Sequence, residues 1–199
     1  FFKNKQKICL TFDDGLKCQY DIALPILNKY KIKAFWFIYT SALKNNESNL
    51  ELFRIFRNKK FKNFDTFYRA FKLLIKNKSY EEFLNKEYKK MKIFKKNFPF
   101  YSVNEIKFRF LRDKFLNTNE YYDIIKKLYK MYNFNYKREF KNIFLTARHI
   151  KKLSNNGHLI GLHTHSHPTN LPELSVEKQK NEYLINKKIL EKIIKNKIF

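Results

Sequence analysis

Two short apolar runs constrain the fold of this chain more than anything else in it: Lys7-Ile8-Cys9-Leu10-Thr11-Phe12 and Ala34-Phe35-Trp36-Phe37-Ile38-Tyr39. Each has the length of a strand. The second is apolar without alternation, as expected for a strand covered on both faces. Between them, Tyr20 to Tyr30 reads as a helix with Ile22, Ile26 and Leu27 on one face. The first run ends in Asp13-Asp14-Gly15, a turn signal. Strand, helix and strand in so short a span make a βαβ unit, which predicts a parallel sheet and an α/β fold.

From about Leu43 to Asn142 the periodicity is helical. Phe53 and Phe56, then Phe64, Phe67, Phe71 and Leu74, step by threes and fours. Ser79 with Glu82, and Ser102 with Glu105, fit the S-x-x-E capping box. Tyr121, Ile125, Leu128 and Tyr132 mark a further helix. The aromatics of this region read as seams of a helical insertion rather than as a sugar-binding platform. The α/β pattern then resumes. Thr146 is placed to cap a helix running to about Ser154, with Ile150 and Leu153 inward and Asn155-Asn156-Gly157 as its stop. His158 to His163 reads as a strand, and Thr164 to Pro168 opens a loop running on to about Pro172. From Ser175 a last helix carries Val176, Tyr183, Leu190 and Ile194 on one face, and Lys197-Ile198-Phe199 reads as the start of another strand. The expected organisation is an α/β domain made of residues 1–42 and 143–199, interrupted by a helical insertion at 43–142.

A formal net charge of +25 on 199 residues raises the question of a nucleic-acid partner. Lysines are spread through the chain and accompany abundant Asn, Ile, Phe and Tyr, so the charge reads as compositional bias, and no specific nucleic-acid partner is expected. The two cysteines, Cys9 and Cys18, are spaced too far apart for a Cys-x-x-Cys pair and are expected to be free thiols. No apolar stretch approaches the roughly 20 residues that span a membrane.

The residues with chemistry in them cluster at two strand ends. All five histidines lie between His149 and His167, most densely in His163-Thr164-His165-Ser166-His167-Pro168. Imidazole is a good ligand for borderline divalent metals, and two or three close together make a site. In α/β folds the ends of parallel strands open on one face, where active sites gather. The plainer alternatives are surface histidines in a polar loop and a solvated Asp-Gly turn. His163-Thr164-His165 also has the His-x-His form found in other metallohydrolases, such as phosphoesterases.

Thr11-Phe12-Asp13-Asp14-Gly15 resembles the first motif of the polysaccharide deacetylases, the NodB-homology domains of carbohydrate esterase family 4. Gly157 to Pro168 resembles their second motif: a histidine, Thr or Ser, two variable residues and a histidine. Lys31 to Ile38 is similar to the family's second strand, with Phe35 where threonine is usual. The resemblance covers both flanks of the chain and leaves the helical stretch uncovered. It implies a partial (β/α) barrel with a large helical insertion. Asp14, His163 and His167 would hold one divalent metal, with zinc expected, and Asp13 would be the general base. The activity implied is metal-dependent removal of N- or O-linked acetyl groups from a polysaccharide or glycan. His165 occupies a variable position and is not counted as a ligand.

The family carries further motifs after the second one: an arginine that orients the base, a groove-wall aspartate with aromatics, and a late histidine acid. No equivalent is evident before Phe199, and no histidine follows His167. Three strands and a stub also fall short of the family's barrel. The chain is therefore expected to be a fragment or the N-terminal part of a longer protein. The alternative is an inactive truncated remnant that keeps only its metal site.

Overall fold

The computed structural model describes residues 8–44 and 50–198. Three parallel strands form an open sheet in the order β1 (Thr11–Phe12), β2 (Phe35–Ile38), β3 (Leu159–Leu162). Register pairs Phe12 with Trp36 and Trp36 with Ile160, so these three side chains share a face. The sheet is shorter at each strand than the apolar runs suggest. Leu10 contributes a carbonyl to Phe35 N–H at 2.9 Å without being part of β1, and Lys7 lies outside the described residues.

The chain divides into two compact units, Phe1–Asn46 with Glu139–Phe199, and Glu47–Arg138. In the first, α1 (Lys17–Lys29), α9 (Ala147–Asn155) and α10 (Val176–Ile194) join the sheet. Leu24 and Leu27 of α1, Trp36 and Ile38 of β2, Ile150 and Leu153 of α9, Ile160 of β3 and Leu190 of α10 form one core. Phe12 stacks on Trp36 at 4.5 Å. Each of these side chains stabilises the fold by about 1.5–3 kcal/mol through removal from water. Thr146 caps α9 as its sequence suggests, accepting from His149 N–H, and Gly157 closes the helix with φ 79°.

Several expectations are corrected. Ile22 and Ile26 of α1 point to solvent, and the inward stripe is Tyr20, Leu24 and Leu27. Both stripes have helical spacing, so periodicity alone did not choose between them. On α10, Val176 and Tyr183 are exposed. The inward line runs instead through Asn186 and Leu190. Lys197 and Ile198 form no strand, and Phe199 lies outside the described residues. Ile198 turns into the core and its N–H bonds to Glu191 Oε1 at 2.9 Å. β2 buries Trp36 and Ile38, but Phe35 and Phe37 on its other face are only half-buried and stack on each other. The described residues therefore show a three-stranded sheet and no closed barrel, since closure requires partners for the outer edges of β1 and β3.

The second unit is helical: α2 (Leu50–Lys60), α3 (Phe64–Leu73), α4 (Tyr80–Lys86), α5 (Tyr88–Asn97), α6 (Val103–Phe110) and α7 (Thr118–Met131). A short α8 (Tyr136–Phe140) leads back towards the first unit's residues in sequence. Phe53, Phe67, Phe71 and Phe108 meet largely edge to face, with centroids 5.0–5.3 Å apart in the tightest pairs. The aromatics are thus core seams, as their spacing indicates. Ser102 and Glu105 form both bonds of the capping box at α6, at 3.2 and 2.7 Å. Ser79 makes no such side-chain bond at α4, because its hydroxyl bonds to Asn77 Oδ1 instead.

Gly161 supplies a test of this packing. A β-carbon there would lie 2.4 Å from Phe37 Cδ1, closer than any real contact. Gly161→Ala is expected to lower the unfolding free energy by about 1–3 kcal/mol in urea titrations. The same change should cost clearly less in a Phe37→Ala background. Equal costs in both backgrounds would show that the ring does not set the requirement.

Candidate metal centre

The site forms where β1 and β3 end. Immediately after β1, Asp14 (φ 71°) and Gly15 (φ 67°) are both left-handed. Gly15 is suited to this turn, and a β-carbon there would also press on Ile38 Cγ2 at 3.0 Å. An aspartate tolerates the conformation at some cost. The result turns the Asp14 carboxylate towards the loop after β3.

That loop is built on two more left-handed residues, Thr164 (φ 63°) and His167 (φ 55°). A β-branched residue at positive φ is a real outlier, and backbone strain of this kind costs on the order of 1–3 kcal/mol per residue. Thr164 is buried, and its Oγ1 accepts the His167 N–H at 3.1 Å. The loop therefore folds back on itself and brings two histidines four positions apart in sequence, His163 and His167, to one place. Their ring centroids are 4.9 Å apart. Tyr39, buried at the end of β2, stacks on the His167 ring at 4.9 Å.

Asp14 Oδ1 lies 3.2 Å from His163 Nε2 and 3.3 Å from His167 Nε2. The ligand atoms of the three residues all fall within 4.8 Å of one another. Zinc bonds of 2.0–2.1 Å in a tetrahedron set donor atoms about 3.3–3.4 Å apart. The two edges from Asp14 match that spacing. Two imidazole nitrogens and one carboxylate oxygen suit a borderline divalent cation, and three ligands leave room for a substrate or water. The side chains are 18–28% exposed, so the open side faces solvent. The hydrogen bond to Asp14 raises the His163 pKa, against the effect of burial and with help from the Asp14 and Asp13 charges. A cation in the same position competes with that proton.

The other predicted residues fall as follows. Asp13 is exposed beside Asp14, its backbone carbonyl accepting from Gln19 Nε2 at 2.9 Å. His165 points away from the cluster, with Nδ1 2.8 Å from Thr40 Oγ1. Its carbonyl accepts the Ser41 N–H at 2.8 Å. His158 is buried and accepts the Ala34 N–H at 3.2 Å, and His149 stacks on Tyr20. Cys9 and Cys18 are free, exposed thiols.

Sequence reasoning missed the residues that hold the loop. Asn186 on α10 has no exposed surface. Its Oδ1 accepts the His163 N–H at 3.0 Å, and its Nδ2 donates to the Ile38 carbonyl at 2.9 Å and to Thr40 Oγ1 at 3.2 Å. One turn earlier, Glu182 accepts the N–H groups of His165 and Ser166 at 2.8 and 2.7 Å and the Ser166 hydroxyl at 2.7 Å. The available signal was the line Glu182, Asn186, Leu190, a polar pair continuing the apolar stripe of a helix.

Replacing Asn186 by Leu leaves the His163 N–H and Ile38 carbonyl buried without partners, at about 1–3 kcal/mol each. Reduced unfolding free energy and zinc binding weakened about 10–100-fold are expected, since supporting shells commonly matter that much. Calorimetric titration with zinc checks this, and unchanged affinity would mean that the loop keeps its shape without α10.

In a comparison with protein families, the description Polysaccharide deacetylase matches residues 3–62 and 115–198, well over half of the chain. No curated protein and no solved structure matches it.

Proposed function

The chain belongs to the polysaccharide deacetylase family, and on that premise we propose that it removes N- or O-linked acetyl groups from a polysaccharide or glycan. The observation that carries this reading is the meeting of Asp14 with His163 and His167 across the ends of β1 and β3. Those three residues would hold one divalent cation, and the N₂O donor set favours zinc. When bound, such a cation polarises an acetyl carbonyl and acidifies water.

The chain's own residues supply the rest. Asp13, exposed at the tip of the β1 turn, takes the proton from the attacking water as general base. Glu182 and Asn186 fix the histidine loop so that both Nε2 atoms face Asp14 rather than solvent. His165 stays on Thr40 and takes no part. The substrate is an acetylated sugar polymer, with no specific nucleic-acid partner. No helix among the described residues is long and apolar enough to cross a membrane.

Two observations support reading residues 43–142 as an insertion into a deacetylase domain formed by 1–42 and 143–199. The compact units divide at Asn46 and Glu139, and the family match is interrupted between residues 62 and 115. The strand order β1-β2-β3, with α1 and α9 in one shared core, supports a barrel-type winding, in which successive strands add on one side.

Elemental analysis of the purified protein is expected to find about one zinc per chain, lost in His167→Ala. Acetate release from acetylated oligosaccharides should fall in Asp13→Asn by about 100-fold or more while zinc is retained. A folded protein that binds no divalent metal would overturn the site assignment. Metal binding without acetate release from N- or O-acetylated sugars would overturn the activity.

A further inference from the structure

The helical unit contains a second polar site, independent of the deacetylase reading. Four guanidinium groups, Arg54, Arg57, Arg109 and Arg112, line a cavity of about 230 Å³ together with one carboxylate, Glu105. Like charges repel, and each loses hydration as it is enclosed, so this grouping is costly unless something opposes it. Two of the four are opposed locally. Arg54 pairs with Glu51. Arg112 forms a forked pair with Asp113, at 2.6 and 2.7 Å. Glu105 accepts the Ser102 N–H at the start of α6 and keeps its negative charge, which acts on Arg57 from the cavity wall. Neither Arg57 nor Arg109 forms an ion pair among the described residues.

Both of these arginines are nevertheless held in place. Arg57 lies on the Phe64 ring at 4.9 Å, and Arg109 on the Tyr101 ring at 4.1 Å. Stacking fixes the plane of a guanidinium without using its N–H donors. Burial lowers the Arg57 pKa, with Glu105 opposing and Arg54 adding to the effect. Arg112 sits in a π-helical segment, Leu111–Phe115, that follows α6. Such segments are rare and recur at functional sites.

We propose that this cavity binds the phosphate group of a small phosphorylated ligand, with Arg57 and Arg109 as its main donors. A phosphate monoester carries about −1.5 to −2 at neutral pH and offers three strong acceptor oxygens to the guanidinium N–H donors held in one cavity, whereas a carboxylate offers two. The volume lies below the roughly 300–1,000 Å³ of drug-sized pockets. The part of the ligand seated in the cavity is therefore no larger than a sugar phosphate, or is phosphate itself.

Calorimetric titration of the full chain at physiological ionic strength, with inorganic phosphate, glucose 6-phosphate and glucose, tests this. Saturable one-to-one binding of a phosphate-bearing probe is expected, with none of glucose. Arg57→Gln and Arg109→Gln should each weaken it about tenfold or more, since bonds to charged groups contribute about 1.5–3 kcal/mol. Lys89→Gln, on the exposed face of α5, should leave it unchanged. Tighter binding of glucose 6-phosphate identifies a phosphorylated sugar-sized ligand, and equal binding identifies phosphate itself. Should Arg57→Gln fail to give a folded circular dichroism spectrum, the half-buried Arg109 carries the test. Binding that never saturates, or that is equal in all variants, is general attraction to a +25 chain and overturns the proposal.

Discussion

The side chain of Asn186 ties together the three elements on which the candidate metal centre depends. It takes a hydrogen bond from the first residue after β3 and gives one to the last residue of β2, and it does so from α10 with no access to water. A buried amide is stable only with its donors and acceptor engaged, and here the Oδ1 and Nδ2 assignment is fixed by its partners. The consequence is geometric. With β2 and β3 locked at their ends, the loop carrying His163 and His167 has a fixed starting point. Glu182 then fixes its middle through three bonds.

That support is needed because the loop and the turn opposite it are strained. Asp14, Thr164 and His167 are all left-handed, and two of these three are the residues whose ligand atoms meet. Relaxed backbone at either position would swing the carboxylate or the imidazole away. The hydrogen bonds from α10, the Thr164 bond to His167 and the Tyr39 ring offset a cost of a few kcal/mol. Strain placed here, beside a core of Trp36, Ile38, Leu153 and Leu190, holds Asp14 Oδ1 3.2 and 3.3 Å from the two histidine Nε2 atoms, two edges of the kind a tetrahedral cation would need.

The parts of this arrangement that were legible in the sequence share a property: each depends on residues near one another in the chain. The βαβ unit, the Thr146 and Ser102 caps, the aromatic seams and the ligand candidates Asp14, His163 and His167 all follow from local pattern or local motif. What was not legible depends on distant partners. Ile22 and Leu24 of α1 offer two helical stripes, and only the packing against α9 and β2 decides which is inward. Ser79 has the spacing of a cap, but Asn77 competes for its hydroxyl. Asn186 and Glu182 resemble ordinary polar positions on a lysine-rich helix until the backbone groups they receive, from residues 16 to 23 positions earlier, are brought alongside.

We propose that the ends of β1 and β3 converge on one cation through two imidazoles and a carboxylate. X-ray absorption at the zinc edge of the zinc-loaded chain tests it most directly. Nitrogen and oxygen neighbours at about 2.0–2.2 Å are expected, with the outer-shell scattering of two imidazole rings and no sulfur. A sulfur shell at about 2.3 Å, drawn from the exposed thiols of Cys9 or Cys18, or a first shell of oxygen alone, would contradict it.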